Sequence, residues 1–193
     1  NEEYASSNLT QTWKAINRHA LRSGWWIILA APDTFRAKPD LFHLMAKAGF
    51  VRRMSSTPWG SIRLSLDKDV EHLLAQLNGK WRNLLRKAQK LQIAVSEVNT
   101  ANQIDVILSQ YEHFQIEKDF AGIPKKIIHS LLGIGDLPQP IKVYQTLCDE
   151  TMEVSGFVII SYHFDTAMYL VGWSSTKGRK QQANYLLLWQ AIN

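Results

Sequence analysis

The sequence predicts an α/β protein in which helices pack on a mixed sheet, an α+β arrangement. Three observations lead to this class. Short apolar runs of a strand's length alternate with amphipathic helical segments in the first fifty or so residues, which favours layers of helix and sheet. Three strand-like segments, 142–148, 153–162 and 166–173, follow one another through short turns, as antiparallel strands do. Hydrophobic residues make up 46% of the 193 residues, which is enough to bury a core.

The first part of the chain is predicted to alternate helix and strand. Apolar residues at helical spacing in 13–21 predict a first helix that ends at Ser23-Gly24. The run 25–30 is uniformly apolar, which is typical of a buried central strand. A second helix is predicted from Pro39 to Gly49, and residues 50–54 can extend as the next strand.

The segment 57–60, Thr-Pro-Trp-Gly, is the clearest break in the first half of the chain and predicts a domain junction. Residues 1–57 and 58–193 are therefore predicted to belong to two domains. Residues 62–66 alternate apolar and polar side chains, as in a half-buried strand, and Asp67 is predicted to cap the helix that follows. This helix is predicted to end at Asn78-Gly79.

The rest of the chain is predicted to form a basic helix, a strand, a long helix, a shorter helix, three antiparallel strands and a last helix after a basic loop. The predicted boundaries are 80–90, 91–98, 101–118, 124–133, 142–148, 153–162, 166–173, and, after the loop 174–180, the C-terminal helix.

Composition excludes several classes of protein. The chain has 22 Lys and Arg against 17 Asp and Glu, a net charge of +5, and a single cysteine, Cys148. One cysteine forms no internal disulfide, so a disulfide-stapled secreted scaffold is excluded and a reducing compartment, the cytoplasm, is expected. Cys148 itself is interpreted as a buried core residue. The six histidines have no metal-binding spacing, so no metal site is predicted. No apolar run approaches the roughly 18 residues of a membrane span.

A row of cations on the basic helix is the strongest electrostatic feature. Residues 80–90 carry five cations and no acid: Lys80, Arg82, Arg86, Lys87 and Lys90. A charge run of this kind is usually a solvated helix face. Stacked cations without acids also suit phosphate oxygens, and the absence of acids favours a phosphate-binding surface.

An aromatic set surrounds the last predicted strand and helix: Tyr169, Trp173, Tyr185 and Trp189. Such residues are more often core than pocket wall, and the two roles are compatible. Gly172 interrupts the strand, which predicts a bulge or the close approach of a ligand.

Four segments, 80–90, 117–124, 169–175 and 185–192, resemble in order and spacing the FemABX family of peptidoglycan interpeptide-bridge aminoacyltransferases, which belong to the GNAT-like superfamily. The family's R-x-x-I-R-K-A-x-K segment is matched, with Leu in place of Ile, at Arg82, Leu85, Arg86, Lys87, Ala88 and Lys90. The resemblance covers roughly 58–193 and is looser before it.

The resemblance implies tandem GNAT-like acyltransferase domains. Residues 1–57 would be the C-terminal part of the first domain, and 58–193 the second domain, truncated before its last strands. No heptad segment corresponding to the coiled-coil arm of some members is present, so the chain is expected to be of the armless type.

The resemblance also implies a reaction, the transfer of an aminoacyl group from aminoacyl-tRNA to the amine of a peptidoglycan precursor peptide. The co-substrate would be aminoacyl-tRNA, with no bound cofactor. Arg82, Arg86, Lys87 and Lys90 would contact the phosphates of tRNA or of the UDP-linked or lipid-linked muropeptide precursor. The enzyme is expected in the cytoplasm, in peripheral contact with the inner membrane surface.

The remaining site residues implied by the resemblance bind the precursor and the acyl group. Lys118, which stands where the family has Arg, and Tyr111 are the candidate contacts to the precursor. Tyr169 and Trp173 would line the acyl channel between strands. No general base is identified.

Two alternatives remain open. One is a related N-acyltransferase that uses acyl-CoA or an acyl-carrier thioester in polysaccharide or lipid biosynthesis, although the segment 181–184, before the last helix, lacks the glycines of a pyrophosphate loop. The other is a non-catalytic RNA-binding module, supported by the net charge of +5 and the cation row.

Overall fold

The computed structural model describes residues 2–30, 39–52, 62–132, 141–148, 152–163 and 165–193. The chain divides into two compact units, Asn1–Leu64 and Ser65–Asn193. The predicted junction at 57–60 lies outside the described residues.

The first unit is built on two helices, α1 (Glu2–Arg22) and α2 (Pro39–Lys47). Asn17 Nδ2 donates a hydrogen bond to the carbonyl oxygen of Ala48 at 2.7 Å. The rings of Trp13 and Phe50 meet edge to face with centroids 5.3 Å apart. Both predicted helices of this part of the chain are confirmed.

The predicted buried strand at 25–30 is wrong. These residues form no strand, and Trp26 is 97% exposed and Leu29 80% exposed. An apolar run becomes a central strand only when neighbouring strands pair with both of its edges, and the described residues of this unit supply none. Residues 50–52 form no strand either, and 53–54 lie outside the described residues.

The second unit contains a four-stranded sheet of spatial order β1-β2-β3-β4: β1 (Val95–Glu97), β2 (Ile141–Leu147), β3 (Val154–His163) and β4 (Thr166–Ser174). Helices with a sheet confirm the α+β class. A mixed sheet is predicted, whereas each neighbouring pair of described strands is antiparallel. The short connections from β2 to β3 and from β3 to β4 allow only antiparallel pairing, because a parallel pair needs a longer crossover. The connection from β1 to β2 contains α5 and α6 and is long enough for either direction.

Six helices accompany the sheet among the described residues of this unit: α3 (Val70–Gln76), α4 (Gly79–Lys90), α5 (Ala101–Lys118), α6 (Lys125–Leu132), α7 (Thr176–Lys180) and α8 (Ala183–Ile192). Helices cover both faces of β3. Phe157 and Ile159 pack in one cluster with Ile107 of α5, whereas Val158 packs in another with Leu187 of α8. Alternate residues of β3 therefore enter two cores, which explains why seven successive residues of the strand, 155–161, are buried.

The basic helix α4 docks on α8 through its apolar face. Leu85 and Ala88, both 0% exposed, pack in one cluster with Leu186 and Trp189 of α8. These two residues form the inward side of α4, and Arg86, Lys87 and Lys90 are left exposed.

Two local details differ from the sequence prediction. Residues 62–66 form no strand, and Ile62 is 99% exposed. Asp69, not Asp67, caps α3 by accepting a hydrogen bond from the His72 amide at 2.8 Å. Asp67 is positioned to accept instead from the Ser65 hydroxyl at 2.7 Å.

The predicted loop 174–180 contains the short helix α7, capped by Ser175. The Ser175 hydroxyl accepts a hydrogen bond from the Gly178 amide at 3.0 Å. No described helix has the length and apolar character needed to cross a membrane.

Candidate functional site

A cavity of about 550 Å³ opens at one end of the sheet, where β2 ends, β3 begins and β4 runs into α7. This is the sheet-end cavity, and its wall includes Gln110, Cys148, Val154, Ser155, Trp173 and Lys177. The volume lies within the range of roughly 300–1,000 Å³ that small-molecule sites occupy.

Strand register brings the wall together. The amide of Cys148, just after β2, donates to the carbonyl oxygen of Glu153, just before β3, at 2.7 Å. The amide of Ser175, just after β4, donates to the carbonyl oxygen of Ser155 at 2.9 Å. These two bonds align three chain segments, so that Lys177 Nζ donates a hydrogen bond to Cys148 Sγ at 2.9 Å.

Buried polar groups lie beside this pair. The hydroxyl of Ser155 donates to Thr146 Oγ1 at 2.9 Å, and both side chains are buried. The side-chain oxygen of Gln110, from α5, is shielded from solvent and has no hydrogen-bond partner in the described part of the chain. Gln110 also lines the sheet-end cavity.

Trp173, predicted to line an acyl channel, stands in the wall of the sheet-end cavity. Its ring stacks on Phe157 with centroids 5.9 Å apart and planes inclined by 26°. The apolar wall of the cavity is therefore continuous with the core under the sheet.

Tyr169, the other predicted channel residue, is not among the residues that line this cavity. Its side chain is half exposed, yet its hydroxyl end turns onto Gly172, where a Cβ would overlap Tyr169 Oη. Burial of that hydroxyl raises the pKa of Tyr169, and Tyr111 nearby raises it further. The close approach predicted at Gly172 is thus made by the Tyr169 ring, and the bulge falls at Leu170.

Tyr111 and Lys118, predicted to bind the precursor, sit in different environments on α5. Tyr111 is buried in the core, with its hydroxyl against Gly122. Lys118 is exposed and pairs with Glu117 at 2.7 Å, an interaction that lowers the pKa of the Glu117 carboxyl. An exposed pair of this type adds little to stability.

The predicted phosphate contacts on α4 divide into two kinds. Arg82 is half-buried, and its Nη1 donates to the carbonyl oxygen of Ala75 at 2.7 Å, so it ties α4 to α3. Arg86, Lys87 and Lys90 are exposed, and no acid of the described ranges pairs with them. These three form the α4 cation face.

A separate polar cluster joins α5 to α6. Asp105 lies 3.3 Å from Lys125 Nζ and 2.9 Å from His129 Nε2. The hydrogen bond from Lys125, together with the charges of Lys125 and His129, holds the pKa of Asp105 below its ordinary value. Among the described residues no group of three or more His, Cys, Asp or Glu side chains is placed to hold a metal ion.

The sequence singles out Trp173 but assigns no site role to Cys148, Ser155 or Gln110, and it favours an ordinary basic loop for Lys177. Cys148 lies in an apolar segment, where a core role is the usual one. Strand register would have predicted that Cys148 and Lys177 lie near each other. If β2, β3 and β4 are successive hairpins, both residues fall at the same end of the sheet.

No protein-family model matches the chain, and no curated protein shows significant sequence similarity to it. The resemblance to the FemABX family therefore rests on the four segments that carry it.

Proposed function

We propose that the chain belongs to an acyltransferase of the FemABX type, which transfers an aminoacyl group from aminoacyl-tRNA to the amine of a peptidoglycan precursor peptide. Residues 58–193 would be the second of two tandem GNAT-like domains. The enzyme would work in the cytoplasm, on UDP-linked precursors or on lipid-linked precursors at the inner membrane surface.

The α4 cation face is the single observation that carries this proposal. Packing on α8 uses the apolar side of α4, so Arg86, Lys87 and Lys90 stand exposed on a helix whose position is fixed by the core. Like charges on neighbouring turns repel one another until an anion binds between them. A phosphate backbone offers such an anion at every nucleotide, and guanidinium and ammonium groups bind it strongly.

The sheet-end cavity supplies the second element of the proposal, a place for the acyl group. Trp173 and Val154 give it an apolar wall, and Lys177 and Gln110 give it polar groups. Attack of an amine on an ester carbon places negative charge on the carbonyl oxygen. An ammonium and an amide are groups that can stabilise that charge.

Acyl-transfer assays with the full-length protein test the proposal. The protein is incubated with UDP-linked muramyl pentapeptide and either radiolabelled aminoacyl-tRNAs or acyl-CoAs. Label that moves to the pentapeptide from aminoacyl-tRNA alone supports the proposed reaction. Transfer from acyl-CoA alone supports the thioester-dependent N-acyltransferase.

A non-catalytic RNA-binding module is the second candidate, and the α4 cation face also favours it. It predicts salt-dependent tRNA binding with no transfer from either donor. For the aminoacyltransferase, the exposed side chain of Lys118 is accessible to the muropeptide precursor.

A further inference from the structure

We propose that the apolar run 25–30, together with the cations of α1 beside it, docks the protein on an anionic lipid bilayer. The run is the tryptophan strip, and it consists of Trp25, Trp26, Ile27, Ile28, Leu29 and Ala30. The inference goes beyond the proposed reaction, because binding to a bilayer needs neither an acyl donor nor an acceptor.

The tryptophan strip exposes large apolar side chains next to one another. Trp26 is 97% exposed, Ile27 79% and Leu29 80%. Single exposed apolar residues are common on protein surfaces and need no explanation. Three large ones within four positions form a continuous apolar surface, and such surfaces mark contacts with proteins or membranes. A binding partner is therefore expected for the strip.

The strip leaves α1 in a fixed direction. The amide of Trp25 donates to the carbonyl oxygen of Ala20 at 2.9 Å. The amide of Gly24 donates to the carbonyl oxygen of Leu21 at 3.3 Å, and the φ of Gly24 is 72°, as in a common type of helix end. The ring of Trp25 meets that of His19 edge to face, with centroids 5.9 Å apart. The beginning of the strip is therefore held against the last turn of α1.

A row of cations lies on α1 beside the strip. Lys14, Arg18 and Arg22 are exposed and follow one another at four-residue spacing, so they share one side of the helix. Leu21, 77% exposed, is a neighbour of Arg18 at three-residue spacing and extends the apolar surface toward the cations. Residues 4–32 contain no Asp or Glu, so no acid of this segment neutralises the row.

Exposed tryptophan next to unneutralised cations fits the surface of an anionic bilayer. Tryptophan is enriched where a membrane meets water, because its ring is apolar and its N–H group stays hydrated. Each Lys or Arg near anionic lipids strengthens binding about fivefold. The phosphates of a nucleic acid would also attract the cations, but they offer no apolar phase to Ile27 and Leu29.

The backbone of the strip limits how deep it can enter. Residues 25–30 belong to no helix or strand, so most of their N–H and C=O groups depend on water. The boundary between headgroups and acyl chains, about 5–10 Å deep, offers water to the backbone and an apolar phase to the side chains. The strip is therefore expected to lie in the plane of this boundary.

Vesicle binding is the direct experiment. The full-length protein is sedimented with vesicles of phosphatidylcholine alone or of phosphatidylcholine mixed with phosphatidylglycerol. Binding should be stronger to the mixed vesicles and should weaken as salt is added. Trp26→Ser with Leu29→Ser should lower the partition coefficient at least about tenfold, because two large side chains no longer enter the apolar phase. Ile116→Ser with Ile127→Ser, a change of two exposed apolar residues on other helices, is the matched control and should leave binding unchanged.

Charge reversal tests the cation row separately. Arg18→Glu with Arg22→Glu should weaken binding to the mixed vesicles at least about tenfold, because two favourable charges become unfavourable. Binding to phosphatidylcholine alone should change little. Lys126→Glu with Lys180→Glu, an equal charge change at exposed sites on α6 and α7, should weaken binding far less.

Fluorescence quenching locates the contact. Brominated lipids in the mixed vesicles should quench the tryptophan fluorescence of the wild-type protein. Trp25→Phe with Trp26→Phe should lose most of this quenching, because these two rings enter the bilayer. Full quenching in that variant would place the contact elsewhere and overturn the inference.

The remaining outcomes separate this inference from the proposed function. Equal binding of the wild-type protein and Trp26→Ser with Leu29→Ser to the mixed vesicles overturns it. Absence of vesicle binding also overturns it: a dimer in sedimentation that this variant abolishes would assign the strip to a contact between copies, and a monomer would assign it to another protein. Transfer to the soluble UDP-linked pentapeptide should be the same in the variant and the wild-type protein, so failure of that reaction bears only on the proposed function.

Discussion

Gly178 lies directly against the backbone carbonyl oxygen of Ser155, so close that a Cβ at position 178 would overlap that oxygen. The contact joins α7 to β3, next to the hydrogen bond from the Ser175 amide to the same carbonyl. Neither partner can rotate away, because one is a main-chain oxygen and the other is held in a helix. This contact sets the distance of Lys177 from the end of the sheet.

Replacing Gly178 with Ala should destabilise the protein by about 1–3 kcal/mol, the usual effect of inserting a methyl group into a filled space. The measurement is the urea midpoint of unfolding. Gly79→Ala is the matched control, because nothing lies within 4 Å of a Cβ at that position. Ala should be neutral there or stabilise by up to about 1 kcal/mol. Equal midpoints for the two variants would show that α7 moves freely relative to β3.

Reversing two charges on the α4 cation face should weaken tRNA binding and flatten its dependence on salt. In Arg86→Glu with Lys90→Glu, the slope of log K against log salt concentration should fall in magnitude by about 1 to 2, since each lost phosphate contact removes about one released counterion. Arg82 is left intact because it holds α3. Lys14→Glu with Lys126→Glu, an equal charge change at exposed sites on other helices, should leave the slope nearly unchanged. Equal slopes for the wild-type protein and the α4 variant would show that the α4 cation face is a solvated surface that does not contact phosphates.

Asp105→Asn should reduce the sensitivity of the fold to acid. The folded-state pKa of Asp105 is depressed below 3.8, mainly by the hydrogen bond from Lys125. A depressed pKa stabilises the folded state when the pH is above the pKa of the unfolded state. This contribution disappears as the pH falls through the pKa of the folded state. The Asn variant should therefore be less stable at neutral pH and lose less stability on acidification. Urea unfolding at several pH values measures this, with Glu112→Gln, on the exposed side of the same helix, as the control. A steeper acid loss in Asp105→Asn would contradict the assignment.

Tyr162 should ionise later than an ordinary tyrosine. Burial, followed by the hydrogen bond with Tyr144, raises the pKa of Tyr162 from 10.0 to about 12. A raised pKa gives a contribution to stability that is complete below pH 10.0 and is lost as the pH rises through about 12. Absorbance of tyrosinate should show a late step that is smaller in Tyr162→Phe and unchanged in Tyr185→Phe. Loss of the step in the Tyr185 variant alone would transfer the assignment to that residue.

Segments with a strong local pattern could be predicted from the sequence. The inward face of α4, with Leu85 and Ala88, follows from helical periodicity, and the successive hairpins of β2, β3 and β4 follow from strand-length segments separated by short turns. For the run 25–30 a local apolar pattern is not sufficient to predict a strand. It is more apolar than β3, but β3 has a partner on each side, and composition does not reveal whether partners exist.

The candidate site was predicted less completely because it depends on distant pairs. Trp173 is named by the resemblance to the FemABX family, which implies that it lines the acyl channel. The contact between Lys177 and Cys148 spans 29 positions in the sequence and arises from strand register rather than from any motif. The sequence likewise places Arg82 with the phosphate contacts, whereas its hydrogen bond to Ala75 gives it a structural role in joining two helices.

The bulge at Leu170 divides β4 into two halves of opposite parity. Ile159 faces Val171 and Ile160 faces Tyr169, so Leu170 has no partner and β4 contains one more residue than β3 over the same length. Odd-numbered positions before Leu170 consequently share a side of the sheet with even-numbered positions after it. In a regular ladder Leu170 would face Ile160 and Tyr169 would face Ser161, on the side now held by Trp173. One inserted residue thus decides which aromatic side chain meets the cavity.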